Sequence, residues 1–234
     1  PAPGGRVVVA GSRAGCGPLV SRRADGGTSR QDTVPTSCWG CRFAAELGPD
    51  RWLVFSHHRV DSWSRGADGR WTYVYYYYGE PYDVAMSPAS GLAVPIGSYA
   101  GTAGVPVFSA ASAEPAYRLT GFREAWGAQF TDDGDTLYLA GQPMDSTRSQ
   151  AGVLAVVRAR DGEVLRSATA WDGTGSLVLD PVQPWLYLVG HDRGWYRAAK
   201  VLDRRTLRPL AHLVAPPASE PPGVLYPMLD AARR

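Results

Sequence analysis

Short apolar runs alternate with tight polar turns along the whole chain, and the pattern repeats roughly every 45 residues. The clearest copies are Gly127-Ala-Gln-Phe-Thr-Asp-Asp-Gly-Asp-Thr-Leu-Tyr-Leu-Ala-Gly141 and Gly175-Ser-Leu-Val-Leu-Asp-Pro-Val-Gln-Pro-Trp-Leu-Tyr-Leu-Val-Gly190. Each reads as a strand, a turn rich in Asp, Gly or Pro, and a second strand ending on a small residue. Weaker copies lie at residues 83–97 and 47–56, and Gly5-Arg-Val-Val-Val-Ala-Gly11 reads as the second half of another.

The second strands end at Gly11, Ser56, Gly97, Gly141 and Gly190, which gives five units across residues 1–234. Gly223-Val-Leu-Tyr-Pro-Met-Leu-Asp230 reads as a first strand without its second, and Arg6–Ala10 as a second strand without its first. Together they would complete one unit. Two further strand-like stretches follow most second strands. Residues 153–158 and 163–168 flank Asp161-Gly162, residues 60–63 and 70–75 flank Asp68-Gly69, and residues 199–203 and 208–214 flank Arg204-Arg-Thr206. Asp-Gly between alternating runs is a strong hairpin signal. Four antiparallel strands per unit, in a meander, is a propeller blade.

Gly79-Glu-Pro-Tyr-Asp-Val-Ala-Met-Ser-Pro88, followed by Gly91-Leu-Ala-Val94, resembles the YVTN-type, WD40-like propeller repeat, and Thr131-Asp-Asp-Gly134 before Leu137-Tyr-Leu139 is similar to it. The resemblance covers roughly residues 47–230. It implies an all-β fold, a β-propeller of four-stranded antiparallel blades, and little about function. Seven blades are usual for such repeats and the spacing here gives five, so the expectation is a five-bladed ring closed by the two termini, the alternative being part of a larger propeller.

In such a meander the loops into first strands and those out of second strands share one end. The entry loops hold Trp39, Tyr82, Trp126, Trp171 and Tyr226, with Arg42, Glu80, Arg123, Glu124 and Asp172 beside them. The exit loops begin at Ser12, His57-His58, Ser98, Gln142 and His191. This end is the expected binding face, because loops on a rigid scaffold carry function. The bland alternative is that each aromatic only plugs the gap between blades. Trp71-Thr-Tyr-Val-Tyr-Tyr-Tyr-Tyr78 reads as an outermost strand with Trp71, Tyr73, Tyr75 and Tyr77 on one side and Tyr76 and Tyr78 on the other. An edge of that composition calls for cover, from the next blade or from a partner protein at Tyr75, Tyr76, Tyr77 and Tyr78.

Three cysteines, Cys16, Cys38 and Cys41, precede residue 42. A disulfide among them is the leading reading and points to an oxidising compartment. A zinc set with His57 is the competing one. Residues 131–135 read as a hairpin turn rather than a calcium loop, which needs about twelve residues and a distal Glu. No nucleophile elbow, zinc-protease or phosphate-loop motif is present, so no catalytic residue, cofactor or metal is assigned.

Apolar content of 44% and charged content of 20% fit a folded chain. A net charge of +2 with scattered Arg excludes a basic nucleic-acid stripe. No apolar run approaches the roughly 18 residues of a spanning helix. The sequence therefore predicts a non-enzymatic, extracytoplasmic interaction module, periplasmic or secreted, serving as accessory subunit of a larger and membrane-associated protein assembly. Its partners would be other protein subunits. The alternatives are a propeller hydrolase, lactonase or dehydrogenase subunit, and a carbohydrate-binding propeller.

Overall fold

The computed structural model describes residues 19–20, 31–32, 41–48, 50–56, 58–99, 104–145, 152–170, 175–191 and 197–214. These hold seventeen β-strands. A short pair, β1 (Leu19–Val20) and β2 (Gln31–Asp32), comes first. Four meandering four-stranded units follow. The first comprises β3 (Cys41–Gly48), β4 (Arg51–Ser56), β5 (Arg59–Arg65) and the leading half of β6 (Trp71–Ser87). The trailing half of β6 opens the second, with β7 (Leu92–Tyr99), β8 (Val105–Ser109) and β9 (Ser112–Leu119). The third holds β10 (Phe122–Phe130), β11 (Thr136–Pro143), β12 (Val153–Arg158) and β13 (Val164–Thr169). The fourth holds β14 (Gly175–Leu179), β15 (Trp185–His191), β16 (Arg197–Asp203) and β17 (Pro209–Val214).

β4, β11 and β12 bury consecutive residues, and so both faces, between neighbouring strands and units, while the outermost β13 stays exposed. The first strands are innermost, and β10 packs against both β6 and β14. One core, built on Leu53, Phe55, Phe108, Phe122, Phe130, Leu137 and Leu139, joins the first three units. A second, of Tyr138, Leu154, Val156, Leu177, Leu186, Leu188, Leu202 and Leu207, joins the third to the fourth. The terminal segments expected to complete a fifth unit, residues 6–10 and 223–230, lie outside the described residues.

Two expectations need correction. Gly79–Tyr82 and Phe122–Trp126 are strand, not entry loops, and Ser98, Gln142 and His191 are likewise strand, not the start of exit loops. β6 runs unbroken for 17 residues, passing from the edge of one sheet into the inner position of the next. In the backbone ladder the β5–β6 register shifts between Ser62 and Trp63, which skips Val74. The leading half of β6 is the outer edge of its unit, and the side chains of Tyr75–Tyr78 lie outside the described residues.

β8 and β9 escape the pattern reading because Pro106 and Pro115 interrupt them and their turn, Ser109–Ser112, has no glycine. Every outermost strand carries a one-residue bulge, at Val74, Ala116, Leu165 and Leu210. Bulged edges resist pairing with another chain.

Candidate functional site

Three innermost strands, β3, β6 and β10, carry a bulge of their own near the end where second strands finish. Cys41 pairs with Ser56 and Phe43 with Phe55, which skips Arg42. Pro81 pairs with Gly97 and Asp83 with Ile96, which skips Tyr82. Ala125 pairs with Gly141 and Gly127 with Ala140, which skips Trp126. Arg42, Tyr82 and Trp126 thus occupy one structural position in three successive units. A bulge re-aims its side chain out of the pleat and is common beside functional sites.

A polar row crosses the sheet at the same level. Glu80 pairs with Ser98, Ser98 with Glu124, and Glu124 with Gln142. Exposure falls along it, from exposed Glu80 to buried Gln142. The Glu124 carboxylate accepts a 3.0 Å hydrogen bond from Ser98 Oγ and a 3.1 Å one from Trp126 Nε1. Tyr82 Oη donates to the Trp126 carbonyl at 2.9 Å, which ties the second unit to the third. Trp126 is buried, and Gly152 lies so close beneath its ring that any Cβ there would overlap it. Tyr82, 45% exposed, keeps its ring at the surface with its hydroxyl anchored. Trp126 therefore supports the site, and Tyr82 presents it.

The two ends differ in how their carboxylates are used. At the hairpin end they serve their own turns. Thr131 and the Asp135 amide hold Asp133 below the usual carboxylate range, Arg158 brings Asp161 down to about 2, and amides of Gln183 and Val182 depress Asp180. Thr206 does the same for Asp203. Residues 131–135 are a hairpin turn, as read from the sequence. At the opposite end the exposed Glu80 side chain serves no turn, and among the described residues the Glu124 carboxylate is bonded by the neutral donors Ser98 and Trp126.

The structure thus brings together Glu80, Tyr82, Glu124 and Trp126, with Arg123 beside them at a second register shift in β10. Arg42 and His191 sit in β3 and β15, but their side chains lie outside the described residues, as does that of Cys41. Trp39, Trp171, Asp172, Tyr226, Cys16 and Cys38 lie outside them altogether. Ser98 and Gln142 enter the site as cross-strand partners of its glutamates. Their signal is positional, since each follows the glycine at the end of a second strand. Among the described residues no group of three His, Cys, Asp or Glu is placed to hold a metal, and no helix is long and apolar enough to cross a membrane.

No family model and no curated protein matches the chain. Solved structures do. Chaetomium thermophilum Sqt1, bound to the N-terminus of the ribosomal protein L10, superposes with a TM-score of 0.55 at 16% identity, covering 84% of this chain and 55% of its own. The WD40 domain of Toxoplasma gondii coronin gives 0.53 at 17% identity, covering 78% and 48%. The Dos1 propeller gives 0.55 at 12% identity, covering 86% and 53%. The chain spans about half the length of these structures. With its meandering four-stranded blades, the protein has the fold of a WD40-like β-propeller.

Proposed function

We propose that this propeller is a non-enzymatic interaction scaffold that grips a segment of another protein at the end bearing Tyr82, Glu80 and Glu124. The observation that carries this reading is the anchored, exposed ring of Tyr82 beside Glu124, whose carboxylate is bonded among the described residues by the neutral donors Ser98 and Trp126, and beside the exposed Glu80. A pinned aromatic loses little entropy on binding, and such anchors dominate interfaces. This negative charge favours a partner segment carrying Lys or Arg, which would meet the carboxylates and the ring face together. The Sqt1 structure, which holds the N-terminus of another protein, supports peptide capture as a mode open to this fold. The same reading makes the chain an extracytoplasmic accessory subunit of a larger, membrane-associated assembly, with Cys16, Cys38 or Cys41 in a disulfide.

The test starts with a photo-crosslinker at Glu80 in cells of the source organism, followed by mass spectrometry of the captured protein. Binding of that purified partner to Tyr82→Ala should weaken by about tenfold or more, the loss typical of a true anchor. Glu80→Lys should weaken it further at low salt than at high salt. Undiminished affinity in both variants, with unchanged melting, would remove this end as the binding site.

A further inference from the structure

The seam between the third and fourth blades is closed at its hairpin end by one side chain that the seam before it lacks. Antiparallel pairs alternate between bonded and open. The Asp180 amide donates to the Trp185 carbonyl at 3.0 Å, so the neighbouring Leu179–Leu186 pair is open and the Leu179 N–H points away from β15. Gln129 on β10 meets it, its Oε1 accepting the Leu179 N–H at 2.8 Å. The ladder repeats one blade earlier. The Thr131 amide donates to the Thr136 carbonyl at 2.9 Å, so the Phe130–Leu137 pair is open and the Phe130 N–H points away from β11. Register sets Ala85 where Gln129 stands. Gln129 follows the skipped Trp126 by three residues and pairs with Tyr138, and Ala85 follows the skipped Tyr82 by three and pairs with Val94. Alanine has no acceptor and cannot span the gap. A cleft of about 580 Å³ is left between β6 and β10, lined by Ala85, Met86, Pro88, Ala128, Phe130 and Asp132 among others.

We infer that this cleft binds the carboxamide of a glutamine or asparagine carried by an extended segment of a partner protein. The fold supplies the template, since a carboxamide satisfies the equivalent amide one seam further on. The partner's carbonyl accepts from the Phe130 N–H, and the exposed Asp132 accepts from its amide nitrogen. Ala85, Met86 and Ala128 form the wall for its apolar stem. The volume is that of a ligand pocket and exceeds a single side chain. Pro88 and Ala89, both exposed at the same cleft, leave room for the chain that carries the amide. The cleft lies at the hairpin end, opposite Glu80 and Tyr82, so this is a second site, independent of the first.

The test titrates the unaltered full chain with N-acetylglutamine amide, and separately with N-acetylmethionine amide as an apolar control of similar length, while backbone amide NMR shifts are followed. The Phe130 amide should shift saturably with the glutamine probe, and the methionine probe should bind about tenfold more weakly because it leaves that donor unpaired. Ala85→Gln supplies the missing side chain from within. In this variant the glutamine probe should lose about tenfold or more in affinity, and the Phe130 amide should exchange with solvent about tenfold more slowly. Equal response to the two probes, or no saturable shift at Phe130, would overturn the inference in the unaltered protein. Undiminished affinity in folded Ala85→Gln would overturn it as well.

Discussion

The seam between the second and third blades and the seam between the third and fourth are latched alike, yet they fill the same spot differently. Each seam has a tyrosine hydroxyl reaching a carbonyl in the turn before the next blade's outer strand. Tyr117 donates to Ala159, and Tyr138 donates to Arg204 at 3.2 Å. Each also has a bond between inner strands, from Tyr82 to Trp126 at 2.9 Å and from the Leu179 amide to Gln129 Oε1 at 2.8 Å. The turns themselves superimpose in their bonding. The Gly162 amide donates to Arg158, and the Leu207 amide to Asp203. Both residues take left-handed backbone, with φ of 78° and 59°. At Gly162 the ring of Tyr117 occupies the space a side chain would need, and a Cβ would stand 2.7 Å from Cδ2 and Cε2. At Leu207 the turn residue carries its own side chain into the second core, where it is 3% exposed. A blade seam needs that volume filled. Whether the neighbour or the turn supplies it is open, and a leucine accepts about 1–2 kcal/mol of backbone cost to do so.

The comparison breaks most sharply at Leu207. Leu207→Ala should cost about 3 kcal/mol in denaturant unfolding, the usual range for an emptied leucine site. Leu207→Gly should fall within about 1 kcal/mol of it despite losing more side chain, because glycine at this φ sheds the strain. A glycine variant clearly worse than alanine would mean the left-handed backbone costs nothing here. Next in size is Gly162→Ala, expected to lose about 2 kcal/mol through strain and the Tyr117 clash. In a Tyr117→Ala background that loss should shrink, and simple additivity in this double-mutant cycle would dissociate the ring from the glycine.

Tyr117→Phe should cost about 1 kcal/mol by thermal melting, since it removes one hydrogen bond and keeps the packing. The smallest effect is in acid. Asp133, Asp161, Asp180 and Asp203 have depressed folded values, so the stability they contribute is present above 3.8 and lost as pH falls through them, to about 2 for Asp161. Asp61 runs the other way, because burial raises it despite Arg59. Its contribution is full below 3.8 and fades as pH climbs through its raised value. Urea midpoints between pH 2 and pH 7 should show the acid loss in both wild type and Asp61→Asn, with the opposing decline above 3.8 missing from the variant.

The contrast between Gly162 and Leu207 also marks where the sequence is readable. Asp161-Gly162 announces its turn, and the strands on either side fall within a residue of where alternation puts them. Arg204-Arg-Thr206 is found by the same logic, but nothing local says that a leucine holds the left-handed position, since only the core across the seam accounts for it. At the candidate site the aromatics and charges are legible as types at the right end of each repeat. Their bulges are not, because a bulge is a mismatch between two strands and neither strand records it alone. That is why Tyr82 and Trp126 look interchangeable in the sequence, while one presents its ring and the other is buried beneath the row.

The inner bulges have a consequence for how this molecule can change over time. A one-residue slip in a strand ordinarily turns every following side chain to the wrong face. Here the skipped residue absorbs that slip, and below it Phe43, Asp83 and Gly127 resume the ladder in phase. The position held by Arg42, Tyr82 and Trp126 is thereby uncoupled from the pleat that supports it. A different residue at this position leaves the strand's hydrophobic phase intact, and Tyr82 and Trp126 already use that freedom differently, one exposed and the other buried.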